Sequence, residues 1–291
     1  IMDIVSKGLQ LKDLPVEEVT YPILYHLSKE RENILCWYPF RENATVLEVG
    51  AGCGAITGVL CRNAHSVTSV DLSLRRSRIN FERNKHYPNL QILVGNLNDM
   101  IFREKFDYVV LNGVLEYALS FTEGKHPYEE FLNHQLAYLK EDGRVLIAIE
   151  NRLGLKYFTG APEDHTNVYY LGLNHYENNR SVRTFSRTEL TDILKKCGLE
   201  YMKFYYPYPD YKFPNEIFTD ETLTKNGYGK NYYNYLENRL ELFGESGIAH
   251  DLNREGVTGT LANSFLVEAG KNRDKEANSV LYAKMNSDRA E

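Results

Sequence analysis

The stretch VLEVGAGCGAITG, residues 46–58, decides the reading of the fold. The apolar run Val46-Leu47-Glu48-Val49 meets three glycines at alternate positions, Gly50, Gly52 and Gly54, and passes into the helix-spaced segment AITGVLCRN. Gly50 permits a tight turn at the end of a strand, and Gly52 lets the backbone come close to a ligand. A helix N-terminus placed after them would add free N–H groups and a positive dipole end. The spacing predicts strand, turn, helix.

Working outward, four more short apolar runs follow: SVTSV (66–70), LQILV (90–94), FDYVVL (106–111) and RVLIAI (144–149). Between them lie segments of helical period, LRRSRINFERN and PYEEFLNHQLAYLK. Continuous Val/Ile/Leu runs suit strands covered on both faces, and βαβα alternation implies a parallel sheet with helices on both sides. Two later runs, LEYMKFYY (199–206) and NSFLVEA (263–269), complete a sheet of seven strands, Rossmann-like and mostly parallel, with an antiparallel last strand. Ser186 reads as the N-cap and Gly198 as the stop of a helix over FSRTELTDILKKCG.

Residues 1–44 read as a helical N-terminal cap and 45–270 as the main domain. Within it, 151–182 and 207–260 are insertions serving as a substrate lid, with NYYNYLENRLELF (231–243) as the lid helix. Both insertions lie at or near the carboxyl edge of the sheet, where ligands bind in open α/β folds.

The glycine turn alone is ambiguous, since Gly50, Gly52 and Ala55 also fit a dinucleotide fingerprint. Asp71, ending the second strand, can accept both ribose hydroxyls of either kind of nucleotide. Three features separate the cases. Glu48 stands two residues before the first glycine, where a carboxylate suits an ammonium and has no use beside a pyrophosphate. Asn96, next to the apolar Leu97, follows the third strand and can bond an adenine amino group. Asn112 and Gly113 fall at the carboxyl edge of the fourth strand, next to the first loop.

Over residues 40–150 this set resembles the class I S-adenosylmethionine-dependent methyltransferases. The resemblance implies that Glu48 and Gly50 hold the methionine end of the cofactor, and that Ala51 and Gly52 line it. It further implies that Asp71 binds the ribose, Leu72 meets the adenine face, and Asn96 with Leu97 meets the adenine edge. Asn112, beside Gly113, would offer its backbone carbonyl to the methionyl ammonium. Many members carry Asp where this chain has Asn96, whose carbonyl oxygen still accepts a hydrogen bond. The implied cofactor is S-adenosyl-L-methionine. Two rival classes stay open on sequence, a NAD-dependent oxidoreductase and a non-catalytic cofactor-binding scaffold.

A hydroxyl acceptor needs a base within hydrogen-bond reach. The candidates are His165, with Asp164 or a neighbouring carboxylate as orienter, and the strand-end acids Glu116 and Glu150. The plainer reading is that His165 ties the insertion down and that the acids pair with Arg152 or a lid lysine. The stretches ENRLGLKYFTGAPEDHTN (150–167) and FYYPYPDYKFP (204–214) resemble methyltransferases of bacterial polysaccharide-assembly proteins. That resemblance implies O-methylation of a sugar or sugar-phosphate of a surface glycan, with a small-metabolite N- or O-acceptor as the rival. The chain's 22 tyrosines, dense over 201–235, suit either a sugar-binding surface or a wet aromatic core.

A net charge of −6 argues against a general nucleic-acid binder, and no apolar run reaches bilayer length. Four scattered cysteines suit neither a disulfide framework nor zinc, no metal constellation is visible, and a cytoplasmic location is expected. At the far end, SVLYAKMNSDRAE (279–291) reads as a last hairpin with a tail, or as the lysine-bearing first strand of a kinase-like domain fused after residue 270.

Overall fold

The computed structural model describes residues 1–179, 181–223, 239–272 and 278–285. Its sheet has nine strands: β1 (Thr45–Val49), β2 (Ser66–Asp71), β3 (Leu90–Val94), β4 (Phe106–Asn112), β5 (Leu139–Glu150), β6 (Tyr201–Tyr208), β7 (Glu216–Thr219), β8 (Ser264–Gly270) and β9 (Tyr282–Lys284). They lie in the order β3-β2-β1-β4-β5-β8-β6-β7-β9. The first five run parallel, and β8 is antiparallel to both β5 and β6.

The seven-strand expectation is therefore short by two. Both missed strands sit at the outer edge: β7 is antiparallel to β6, and β9 to β7. β7 has four residues and β9 three, too few for a period-2 pattern to stand out. β9 pairs Lys284 with Glu216, so the far-end lysine belongs to an outer strand of this same sheet.

Alternation along the strands shows why both faces are covered. Leu47, Val109, Val145 and Ile147 enter the core on one face, while Val46, Tyr108, Val110 and Leu146 enter the core on the other. Each is buried, a burial that stabilises by roughly 1.5–3 kcal/mol per large apolar side chain. The second face is completed by Ile34, Leu35 and Tyr38 from the N-terminal segment, whose residues 2–34 form only short helical pieces. That segment is also tied to the later insertion, with Asn33 Nδ2 donating to the Pro214 carbonyl at 2.8 Å.

The chain leaves β1 for β2 and β3 on one side and returns to β4 and β5 on the other. Val49 lies in register with Leu111, so the loops after β1 and β4 open beside each other at this switch point. Insertion 151–182 is clamped over the same edge by the buried Asn151, whose amide donates to the Thr260 and Ala262 carbonyls. The expected lid helix over 231–243 lies mostly outside the described residues. Its described end, 239–243, is not helical, and a helix instead spans Glu245–Arg254.

The helix Arg187–Lys196 has the expected ends. Ser186 and Glu189 form a reciprocal capping box, and Gly198 follows with φ of +75°. Glu189 also pairs with Arg152 at 2.6 Å, linking this cap to the start of the first insertion. Burial opposes its charge, but Arg152 and the Ser186 contacts outweigh that and bring Glu189 down to about 2. Ser186→Ala is expected to cost about 1 kcal/mol in a urea-unfolding measurement; an unchanged midpoint would remove the cap from the stability account.

Candidate active site

After β1 the backbone turns through Gly50 with φ of +66° and Gly52 with φ of +56°. A Cβ on Gly50 would stand 2.7 Å from a Val114 methyl group, so the turn and the segment after β4 pack too closely for any side chain there. A Cβ on Gly52 would meet nothing nearer than 4.0 Å, because this glycine faces open space. Asp71 fixes the loop: one carboxylate oxygen accepts from Gly52 N–H and the other from Ser73 N–H, both at 2.8 Å. The turn runs on to Ile56 and the helix begins only at Thr57, later than expected. The loop, not a helix end, forms this wall.

The open space is a cavity of about 590 Å³. Its wall contains Glu48, Gly50, Ala51, Gly52, Asp71, Leu72, Asn96, Leu97, Asn112 and Gly113, so the fold brings all ten positions singled out for a nucleotide cofactor into one enclosure. Two of them display unmet hydrogen-bonding capacity. Glu48 is buried, its Oε2 accepting from Thr57 (2.7 Å) and Ser69, while its Oε1 has no partner. Asn112 Oδ1 is likewise buried without a donor. Burial pushes Glu48 up to about 7, against the two hydroxyl hydrogen bonds. Two neighbouring strand ends with orphaned acceptors fit a cationic donor such as the ammonium of a methionyl group. The resemblance points to the Asn112 backbone carbonyl, and its side-chain oxygen is a further acceptor at the same strand end. Asn96 Oδ1 already accepts from Asn98 N–H at 3.1 Å, which leaves one lone pair for an adenine amino group.

Beyond Gly113 the cavity changes character. Glu116 Oε1 and the Tyr211 hydroxyl crowd over Gly113, at 3.5 and 2.8 Å from where its Cβ would be. Glu116 is buried, and its Oε2 has no partner. His165 Nε2 lies 3.5 Å from Glu116 Oε1 and 3.9 Å from Glu150 Oε2, while its Nδ1 contacts Glu163 at 2.8 Å. The three sequence-selected groups are thus brought together, and of the two orienters expected, Asp164 or a neighbouring carboxylate, the contact is made by the neighbour, Glu163. Asp164 is used elsewhere: it accepts from Lys212 (2.7 Å) and from the Tyr157 hydroxyl (2.6 Å), and pairs with Lys156 (2.9 Å). Lys212 also pairs with Glu150, and Lys156 with Asp210.

The charges follow from this packing. Burial alone would lower His165, but Glu150, Glu116 and Glu163 outweigh it and push it up to about 11. Three carboxylates thus favour the imidazolium form, which tells against His165 as the general base expected of it. Burial favours neutral Glu150, yet Lys212 and His165 hold it below its ordinary value. Glu116 is raised by burial, with the charge of Glu150 adding to the effect. Of the two strand-end acids, Glu150 is the fixed anion and Glu116 the one that readily carries a proton. No metal constellation was expected, although ligand atoms of Glu116, Glu150 and His165 lie within 4.8 Å of one another. The cations beside these carboxylates are the imidazolium and Lys212.

Sequence reasoning missed Tyr25, Arg31, Tyr211 and Lys212, all in the cavity wall. Tyr211 and Lys212 belong to FYYPYPDYKFP, flagged only as a resemblance. Arg31 carried no signal, because nothing local says that a residue of the N-terminal segment reaches a cavity in the sheet. Tyr201, Tyr205, Tyr206 and Tyr208 are each no more than 8% exposed and belong to an aromatic core, while Tyr211, equally buried, lines the cavity.

A family model of a methyltransferase domain matches residues 25–203, more than half of the chain. Phosphoethanolamine N-methyltransferase 3 of Arabidopsis thaliana is 36% identical over 92 residues, which cover 31% of this chain and 19% of that protein. The wheat (Triticum aestivum) phosphoethanolamine N-methyltransferase is 30% identical over 120 residues, 40% of this chain and 23% of the relative. The matches thus span less than a quarter of these relatives. Among solved structures, a SAM-dependent methyltransferase from Archaeoglobus fulgidus superimposes with a TM-score of 0.53 at 14% identity, covering 86% of this chain and 99% of that one. Haemonchus contortus phosphoethanolamine N-methyltransferase 1, solved with phosphoethanolamine and S-adenosylhomocysteine, gives 0.51 at 17% identity, covering 90% of this chain and 46% of that chain. These likenesses concern the fold.

Proposed function

We infer the acceptor from one premise: this chain belongs to the methyltransferase-domain family, and it is an S-adenosylmethionine-dependent methyltransferase. The dinucleotide alternative falls with that membership. When bound, the cofactor supplies an electrophilic methyl group on a sulfonium, for which alignment of donor and acceptor provides much of the rate. Glu48, Asn112 and the glycine turn would hold its methionine end, Asp71 its ribose, and Leu72, Asn96 and Leu97 its adenine.

We propose that the acceptor is the nitrogen of a small amine. The observation that carries this is Glu116, whose Oε1 lies beside Gly113 and whose buried Oε2 has no partner among the described residues. An ammonium satisfies that oxygen, and its nitrogen must lose a proton before it can be methylated. Glu116, raised by burial, is the better proton acceptor of the two strand-end acids. His165, Glu163 and the Lys212–Glu150 pair hold Glu116 in place and keep water out. The names of the relatives, phosphoethanolamine N-methyltransferases, agree with an amine. The glycan acceptor expected from sequence draws less support from the tyrosines of 201–211, of which Tyr211 lines the cavity and the others are core.

Methyl transfer from S-adenosylmethionine labelled in the methyl group tests the reading. Ethanolamine and phosphoethanolamine are offered alongside a panel of neutral sugars and sugar phosphates. Label is expected in at least one amine. Label in sugars with none in either amine would sink the proposal.

A further inference from the structure

Arg31 is 3% exposed and lines the same cavity. A buried guanidinium ordinarily meets a carboxylate, because an uncompensated charge out of water is costly. Among the described residues Arg31 meets none. Its Nη1 donates to the Lys212 carbonyl at 3.0 Å, its Nη2 to the Tyr25 hydroxyl at 3.3 Å, and its Nε–H is buried with no acceptor. The guanidinium lies 4.2 Å from the centre of the Tyr25 ring, so stacking fixes its plane and keeps the fork from turning away.

Arg76, at the start of the helix after β2, and His26 line the cavity as well. Burial, then Arg76, Arg31 and Arg83, bring His26 down to about 4, so it stays neutral and contributes no counter-charge. Arg83 is spent on two backbone carbonyls, those of His26 and Cys53. Among the described residues the cavity wall therefore carries unpartnered carboxylate oxygens, at Glu48 and Glu116, and a guanidinium with no carboxylate partner and a free Nε–H.

We propose that Arg31 is an oxyanion-binding residue of this cavity, its Nε–H and remaining Nη–H groups receiving a carboxylate or phosphate of a bound molecule. That chemistry has two sources, the α-carboxylate of the cofactor or an acidic group on the acceptor. The acceptor arm rests on the amine reading above, and the cofactor arm does not.

Calorimetry on the full chain distinguishes the sources with two ligand pairs differing only in the anion. One pair is S-adenosylhomocysteine and its α-carboxamide. The other is phosphoethanolamine and ethanolamine, titrated into protein saturated with S-adenosylhomocysteine. The unaltered chain is expected to prefer the anionic member of at least one pair by about tenfold or more. Arg31→Gln, with an unchanged melting temperature, should erase most of that preference. Indifference to both pairs in the unaltered chain overturns the proposal, as does a preference that survives Arg31→Gln. If Arg31→Gln does not fold, Arg31→Lys carries the test: its ammonium keeps the charge but lacks the fork, so an undiminished preference there also overturns it. Failure of the amine reading is separate, because it is scored by where the methyl label goes and not by these affinities.

Discussion

Glu116→Gln is expected to lower kcat/KM for an amine acceptor by about 10²–10⁴-fold, the range typical of a lost general base. Affinity for S-adenosylhomocysteine should stay within about twofold, since the substitution preserves shape and Glu116 sits beyond the methionine end. The physical basis is the division of labour between two buried acids. Glu150 is held below its ordinary value by Lys212 and His165, whereas burial and the charge of Glu150 raise the proton affinity of Glu116. Gln can still bond a neutral amine through its carbonyl, yet it takes no proton and balances no ammonium charge. Steady-state kinetics at saturating cofactor read the loss directly. Near-wild-type turnover in Glu116→Gln, with the amine still methylated, would show that the proton leaves by another route.

Glu48→Gln is expected to weaken S-adenosylhomocysteine binding by about 10–100-fold, the value of a charge-assisted hydrogen bond in a buried site. A pH signature accompanies it. Glu48 is raised to about 7, so much of the unliganded protein carries it protonated at and below that pH. An ammonium ligand selects the carboxylate, so affinity should rise as pH climbs through about 7, with net proton release on binding below it. Gln has no such group, and the Glu48→Gln variant should lose that part of the pH dependence. The same shift affects the unliganded fold with the opposite sense. An unfolded Glu ionises near its ordinary value of 4.5 while the folded one keeps its proton to about 7. Stability from this group therefore falls as pH rises from 4.5 to 7 and is not regained above. Titrations in buffers of different ionisation enthalpy count the protons. An affinity and proton count unchanged in Glu48→Gln would remove this residue from the methionine end.

Much of this arrangement is legible in sequence because it depends on local pattern. Continuous Val/Ile/Leu runs place β1 to β5 and, later, β6 and β8, since a strand buried on both faces needs them wherever it occurs. The ten cavity positions were found for the same reason: each lies within three residues of a strand end, and in a parallel sheet adjacent strand ends share an edge. Ser186 and Glu189 are a cap because the two side chains are three residues apart. By contrast β7 and β9 are too short to carry a period, and their place depends on partners elsewhere in the chain.

What sequence alone determined about this protein, then, is the sheet core and the glycine-edged cavity with Glu48, Asp71, Asn96 and Asn112 in its wall. Tertiary structure alone decided the charge states and the far side of the site. His165 looked like a base because an isolated imidazole titrates near neutrality, and Glu116 and Glu150, brought up from beyond β4 and the end of β5, join its sequence neighbour Glu163 in favouring the imidazolium. Its orienter was open between Asp164 and a neighbouring carboxylate, and packing gives the contact to Glu163 and Asp164 to Lys156 and Lys212. Arg31 reaches Lys212 across 181 positions of chain. The physical reason is common to all three: a pKa and a contact depend on distance and burial in space, and neither is written in the spacing of residues along the chain.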